Sequence, residues 1–247
     1  MLRVRGLSLR YPNGKLALAD FELSIAAGEF VVVLGGNGSG KTTLLRCITR
    51  TLKPSIGEVW LGDINLCPLE GEKLRQARLA IAMISQHASL VGRASVLRNV
   101  ATGALGRHFT MRTALGGLPA CELEAAREYL SEVGLAELAE QRASTLSGGQ
   151  AQRVAIARSL AQRPRVLLAD EPVASLDPEA AEDIMRLLQR LARSERLAVL
   201  CVLHQVELAY SYADRVIGIR EGRIAFDLPR GEVSRDVVRR LYVGEAA

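Results

Sequence analysis

The segment GGNGSGKT, residues 35–42, sets Gly35, Gly40, Lys41 and Thr42 at the spacing G-x-x-x-x-G-K-[ST]. The run FVVVL precedes it and TLLRCITR, which reads as helix, follows it. That strand–loop–helix context is the one in which such a loop cradles phosphate. Glycines let the backbone N–H groups of residues 37–41 converge on an anion with no side chain in the way. A helix starting near Lys41 adds unpaired N–H groups and the positive end of its dipole. Lys41 brings a mobile full charge suited to β- and γ-phosphates, and the Thr42 hydroxyl is suited to Mg²⁺. A second segment, RVLLADEP at 165–172, reads as a buried strand ending in Asp170 and Glu171. Strand side chains alternate between faces, so the two carboxylates are expected to diverge. One can hold Mg²⁺ and the other can polarise a water. A cation clamp, a metal and an oriented water are what hydrolysis of a nucleoside triphosphate requires.

Three further residues gain meaning beside that pair of segments. Tyr11, in LRYPNGKLAL, lies ahead of the glycine-rich loop and can stack on adenine, although alone it would read as a strand-edge tyrosine. Gln86 follows AIAMIS and can reach the metal or the water from a neighbouring strand end. His204 follows LAVLCVL and can donate to the γ-phosphate. Another stretch, STLSGGQAQRVAIARSL at 144–160, contains no acid–base pair or nucleophile of its own. Ser147 and Gln150 stand at capping-box spacing, and Val154, Ala157, Leu160 and Ala161 form a packed helical face. Gly148 and Gly149 then fall in the first turn and leave backbone N–H groups bare, which makes a second anion site. One chain already has its phosphate loop. The economical arrangement is two chains head to tail, each closing the nucleotide held by the other.

These residues need elements to position them. Short Val/Ile/Leu-rich runs at 30–34, 80–84, 166–169 and 198–203 read as buried parallel strands separated by helical patterns. In CELEAAREYLSEVGL, Leu123, Ala126, Leu130 and Val133 share a face, with Gly134 as the C-terminal stop. PEAAEDIMRLLQRLARS, from Pro178, is a second amphipathic helix. Alternating strands and helices predict an α/β fold with a parallel sheet. The strands at 2–9, 16–25 and 58–61 alternate more loosely and predict an antiparallel flank. Residues 88–155 carry helices without a convincing strand and read as a helical insertion, with a glycine-rich loop over 105–119.

A chain of 247 residues can bury a sizeable core. Apolar residues make up 49% and charged residues 24%, the balance of a soluble globular protein. The net charge of +5 comes with no basic block and no aromatic–basic interleaving, so nucleic acid is not an expected partner. Cys47, Cys67, Cys121 and Cys201 show no CxxC pair or zinc spacing and read as reduced thiols in the cytosol. The opening MLRVRGLSLRYPNG lacks the apolar core of a signal peptide. The longest apolar runs are far too short to span a bilayer. Any membrane role is expected to come through a partner.

LSGGQ at 146–150, with its companions in this order, resembles the signature of the ATP-binding cassette (ABC) ATPases. The resemblance covers nearly the whole chain. It implies a P-loop NTPase cassette: a RecA-like parallel-sheet core over about 1–87 and 156–247, an antiparallel β flank, and an inserted helical subdomain over about 88–155. It implies ATP contacts at Tyr11, Gly35, Gly36, Asn37, Gly38, Ser39, Gly40, Lys41, Thr42 and Thr43, and Mg²⁺ held through Thr42, Gln86 and Asp170. Glu171 becomes the general base, Gln86 the residue of the Q-loop, and His204 the switch histidine. Ser147, Gly148, Gly149 and Gln150 address the partner copy's ATP, and Asp177 of SLDP crosses the dimer interface.

The segments 90–107, 168–178 and 203–227 further resemble the ATP-binding subunit of phosphonate importers, with DEPVASLDP and LHQVELA the most telling. Gly36 stands where relatives often carry proline, and ISQH replaces a more aromatic Q-loop. Neither change removes a reacting group. This likeness implies a homodimer of ATPase subunits at the cytoplasmic face of the inner membrane. Integral-membrane permease subunits and an extracytoplasmic substrate-binding protein would complete the importer. A coupling helix of the permease is expected to dock near the Q-loop and the helical insertion. Phosphite, phosphate or polar amino acids are the rival cargoes. A soluble ABC ATPase acting on DNA or ribosomes is a competing class, disfavoured by the single cassette and the absence of a heptad run. A phosphate-binding module without catalysis is disfavoured by Glu171 and His204.

Overall fold

A computed structural model describes residues 1–108 and 117–242. In chain order the elements are β1 (Leu2–Arg10), β2 (Leu16–Ile25), β3 (Phe30–Leu34), α1 (Lys41–Ile48), β4 (Ile56–Leu61), β5 (Ile64–Asn65), α2 (Gly71–Arg78) and β6 (Ile81–Ile84). Helices α3 (Val96–Ala101), α4 (Ala120–Glu132) and α5 (Gly148–Ala161) precede β7 (Val166–Asp170), α6 (Pro178–Ser194) and β8 (Ala198–Val202). The chain continues with α7 (Val206–Tyr212), β9 (Arg215–Arg220), β10 (Arg223–Pro229) and α8 (Arg235–Tyr242). The loop expected over 105–119 lies in part outside the described residues, and a short 3₁₀ helix, Thr102–Arg107, opens it. No helix among the described residues is long and apolar enough to cross a membrane.

Two sheets form. Strands β2-β1-β4-β5 pair antiparallel, and the six-stranded sheet has the order β10-β9-β3-β8-β7-β6. Every neighbour pair of that larger sheet is parallel except β10 with β9. Because strand side chains alternate, the continuous apolar runs feed two separate cores. Phe30, Val32, Leu34, Leu167, Ala169, Val199 and Cys201 face the core shared with helices α3 to α7. Val31, Val33, Val166, Leu168, Leu200 and Val202 face the other, shared with α1 and the antiparallel sheet. Helix α1 is thereby clamped between two sheets through Leu44, Leu45, Cys47 and Ile48. Parallel strands covered on both faces are why these runs show no polar alternation.

Helices α3, α4 and α5 lie between β6 and β7 in sequence and pack on one another. Helix α4 stops where Gly134 takes φ 72°, and the Leu135 N–H donates to Leu130 O, a Schellman closure. Helix α5 begins on the reciprocal Ser147–Gln150 capping box and runs unbroken through residue 155, so the boundary drawn there falls within one helix. The β9–β10 hairpin is an element that the apolar-run reading did not separate. Its two-residue turn, Glu221 (φ 52°) and Gly222 (φ 75°), has both residues left-handed, as tight hairpins demand. Phe226 lies across Gly218, where a Cβ would meet its ring.

Candidate functional site

Strands β3, β8, β7 and β6 are neighbours running the same way, so the segments after them emerge on one edge of the sheet. These are 35–40, 203–205, 171–177 and 85–89, which carry most of the residues singled out in the sequence. Ligands of open parallel sheets lie at such carboxyl ends. Backbone bonds lock the edge: Glu171 N–H donates to Val202 O at 3.1 Å and Leu203 N–H to Val33 O at 3.1 Å.

The glycine-rich loop is shaped by close approach. A Cβ on Gly40 (φ 111°) would meet Ala17 O at 2.6 Å, and one on Gly35 would meet Ile219 O and Ser39 Oγ. Gly40 is also the left-handed N-cap of α1. Lys41, 6% exposed, donates through Nζ to Gly35 O at 2.6 Å and Gly36 O at 2.8 Å, so the loop coils around its ammonium. A cavity of about 280 Å³ is lined by Tyr11, Asn37, Gly38, Ser39, Thr42 and Thr43, with Gly40, Lys41 and Glu171. Lys15 and Ala17 line it as well, and no motif marks them. Tyr11 Oη lies 3.1 Å from Thr43 Oγ1, which tethers the aromatic ring to the loop's helix.

Asp170 ends β7 and hydrogen-bonds the Thr42 side chain. Its Oδ1 is buried and has no hydrogen-bond partner. Burial, and then the charge of Glu171, hold its carboxyl above the usual carboxylate range, against the pull of Thr42, Arg46 and Lys41. A raised folded pKa means that the ionised carboxylate costs stability, a cost that builds as pH rises from the unfolded to the folded pKa and is complete above it. The nucleotide-free Asp170→Asn variant is therefore expected to melt roughly 2–4 °C higher at neutral pH, as a change on the order of 1 kcal/mol does in a chain this long. It is expected to lose the additional stabilisation by ATP that depends on Mg²⁺; thermal melts with and without Mg²⁺ check both.

Glu171 lies beyond the strand, with left-handed φ of 53°. The two carboxylates do diverge, but the cause is this backbone reversal and not strand alternation. Asp170 turns to Thr42, while Glu171 Oε1 lies 2.6 Å from His204 Nε2, the ring N–H donating to the carboxylate. Left-handed backbone at a non-glycine residue costs energy and gathers at functional positions. Gln86 is exposed and does not line the cavity.

The helix start at 147–150 does not line the cavity either. Gly148 faces Leu176 Cδ2 and Gly149 faces Ala180 Cβ, so it lies beside the turn that opens α6. Ser147 Oγ accepts from Gln150 N–H at 3.3 Å and Gln150 Oε1 accepts from Ser147 N–H at 3.0 Å. The N–H groups of Gly148 and Gly149 remain the donors that a helix start cannot satisfy internally. Asp177 caps α6, its Oδ1 accepting from Ala180 N–H at 2.9 Å.

Residues 18–174 match the ABC transporter family. A phosphonates import ATP-binding protein, PhnC, of Wolinella succinogenes is 44% identical over 242 residues, spanning 98% of this chain and 88% of that protein. PhnC of Frankia casuarinae is 47% identical, spanning 98% and 95%. The ADP conformation of MJ1267, an ATP-binding cassette of an ABC transporter, superposes with TM-score 0.87 at 26% identity, covering 99% of this chain and 98% of that one. The dimeric post-hydrolysis state of the cassette MJ0796, bound to ADP and Pi, superposes with TM-score 0.79 at 33% identity, covering 93% and 99%.

Proposed function

The chain belongs to the ABC transporter family of ATP-binding proteins, and from that membership we propose that it is the ATP-hydrolysing subunit of a phosphonate importer. Two copies act head to tail at the cytoplasmic face of the inner membrane. They drive integral-membrane permease subunits that receive cargo from an extracytoplasmic substrate-binding protein. The observation that carries the catalytic part is the convergence of Lys41, Thr42, Asp170, Glu171 and His204 at adjoining strand ends. The cargo rests on likeness to the PhnC proteins.

Lys41 and the loop's N–H groups bind the triphosphate, and Tyr11 stacks on the base. The unpartnered Oδ1 of Asp170 and the adjoining Thr42 hydroxyl fit a hard cation. Among the described residues no group of three or more His, Cys, Asp or Glu could hold a metal ion, and Thr42 and Asp170 would share it with the triphosphate. Thr42 and Asp170, joined by Gln86 if its exposed side chain turns inward, would hold Mg²⁺, which would supply neutralisation of the phosphate charge. Glu171 orients a water and accepts its proton, and the ring N–H of His204 is free to turn from Glu171 to the γ-phosphate. The Ser147 helix start does not line the cavity of its own copy, and the phosphate it grips is read as the other copy's, with Asp177 at the join. ATP then binds the closed pair better than the open one, the differential affinity any ligand-driven switch needs. The helical part spanning about 88–155 is read as the subdomain that moves with the permease.

Uptake by proteoliposomes holding this chain, its permease and its binding protein tests the cargo. A phosphonate such as 2-aminoethylphosphonate is expected to enter only with ATP. Entry of phosphite, phosphate or an amino acid in its place would overturn the cargo and leave the ATPase standing.

A further inference from the structure

The nucleotide cavity has two walls, and they belong to different sheets. One is the turn between β1 and β2 with the start of β2, where Tyr11, Lys15 and Ala17 line the space. Tyr11 N–H donates to Lys15 O at 2.9 Å and closes that turn. The other, Asn37 to Thr43, follows β3 of the six-stranded sheet and faces the phosphates. At the rim the walls meet through the hydroxyls of Tyr11 and Thr43. Behind the cavity they meet through the β9–β10 turn. Gly222 N–H donates to Ser39 O at 2.9 Å, and Gly222 O accepts from Ala19 N–H at 2.9 Å. A single residue thus spends its two backbone groups on the two walls. The strand entering the turn backs the other end of the phosphate loop, where a Cβ on Gly35 would meet Ile219 O.

Close approach is what demands glycine at 222. A Cβ there would lie 2.6 Å from Ala17 O, 2.9 Å from Ala17 C and 3.1 Å from Leu18 Cα. All three are backbone atoms, so no rotamer change can make room. A Cβ on Gly40 would meet the same Ala17 O at 2.6 Å and Gly222 Cα at 3.6 Å. Left-handed backbone alone does not require glycine in this turn, because Glu221 takes φ 52° and carries a side chain. The atoms nearest the missing Cβ belong to the wall that holds Tyr11, and none to the phosphate loop. A nucleotide has a fixed reach from base to phosphates. Walls held at that spacing let both ends bind at once, and walls out of register forfeit one of them.

We propose that Gly222 is a positioning residue: bonded to both walls, it sets the distance between the groups that hold the base and the loop that holds the phosphates. The two ends of ATP then bind as one unit. This rests on the reading of Tyr11 as the residue that stacks on the base, and it adds what keeps that residue in register with Lys41.

Gly222→Ala in the full chain tests it, by calorimetric titration with Mg²⁺–ATP and with Mg²⁺–tripolyphosphate, which has no nucleoside. Base–aromatic stacking is worth roughly five- to 150-fold in affinity, so the variant is expected to bind ATP about ten-fold or more weakly while tripolyphosphate stays within about two-fold of the parent. Tyr11→Ala is expected to weaken ATP by about five-fold or more in the parent but by less than about two-fold beside Gly222→Ala, where the base is already unheld. Gly71→Ala, at φ 54° with nothing within 4 Å of the new Cβ, carries left-handed strain away from the cavity and should leave both ligands unchanged. Equal losses for ATP and tripolyphosphate, or the same cost of Tyr11→Ala in both backgrounds, would show general loosening and overturn the inference. Should Gly222→Ala not fold, amide exchange in the parent decides. ATP is expected to slow exchange at both Gly222 and Ala19, and tripolyphosphate at Gly222 alone; an Ala19 amide indifferent to ATP overturns the inference. If Tyr11→Ala binds ATP as tightly as the parent, the reading of Tyr11 falls, and the comparison of ATP with tripolyphosphate still decides the role of Gly222.

Discussion

Glu171→Gln is expected to bind ATP, associate into a stable pair and hydrolyse at least about 100-fold more slowly, the lower end of what a general base contributes. The amide keeps the shape of the side chain and can still accept from His204 Nε2–H, which lies 2.6 Å from Oε1 in the parent. It cannot take a proton from water. It also removes the neighbouring charge that raises the Asp170 pKa, so Asp170 ionises more readily and holds a cation at least as well. Tight binding and blocked turnover thus follow from the same substitution. Single-turnover hydrolysis alongside sedimentation with Mg²⁺ and ATP measures both. Near-normal turnover would remove Glu171 from the role of base.

Lys41→Ala attacks binding in place of chemistry. The ammonium is buried inside the loop, held by the carbonyls of Gly35 and Gly36. With a triphosphate present it exchanges carbonyl dipoles for full negative charge. Charge-assisted hydrogen bonds are worth about 1.5–3 kcal/mol each, so losing one or two weakens ATP binding by roughly ten- to a thousand-fold or more. Alanine suits the first turn of α1, so the fold should persist. Calorimetric titration with ATP checks the loss; affinity within a few-fold of the parent would contradict this use of Lys41.

Much of this site was legible because its chemistry is local in sequence. The loop at 35–42 announces itself through glycines that only close approach explains, at Gly35 and Gly40. The runs 30–34, 166–169 and 198–203 showed where strands end, and a parallel sheet gathers those ends on one edge. The capping box at Ser147 was readable from spacing alone. What spacing could not reveal is tertiary. Nothing local marks Glu171 as left-handed, since the reversal is imposed where its N–H meets Val202 O. Gln86 follows its strand end as expected yet does not line the cavity, which position in sequence could not show. The hairpin after 215 was hidden because its turn is Glu-Gly, outside the usual Asn-Gly and Asp-Gly signals.

Mixing two inactive variants tests the shared site most directly. Lys41→Ala removes the ammonium from the loop. Gly149→Asp places a carboxylate at the Ser147 helix start, where a new Cβ would meet Ala180 Cβ at a tolerable 3.4 Å. If each nucleotide lies between the loop of one copy and the helix start of the other, a mixed pair carries both defects in one site and none in the second. The mixture is then expected to hydrolyse ATP although neither variant does so alone. A mixture as silent as its components would place each site within a single chain and contradict the account.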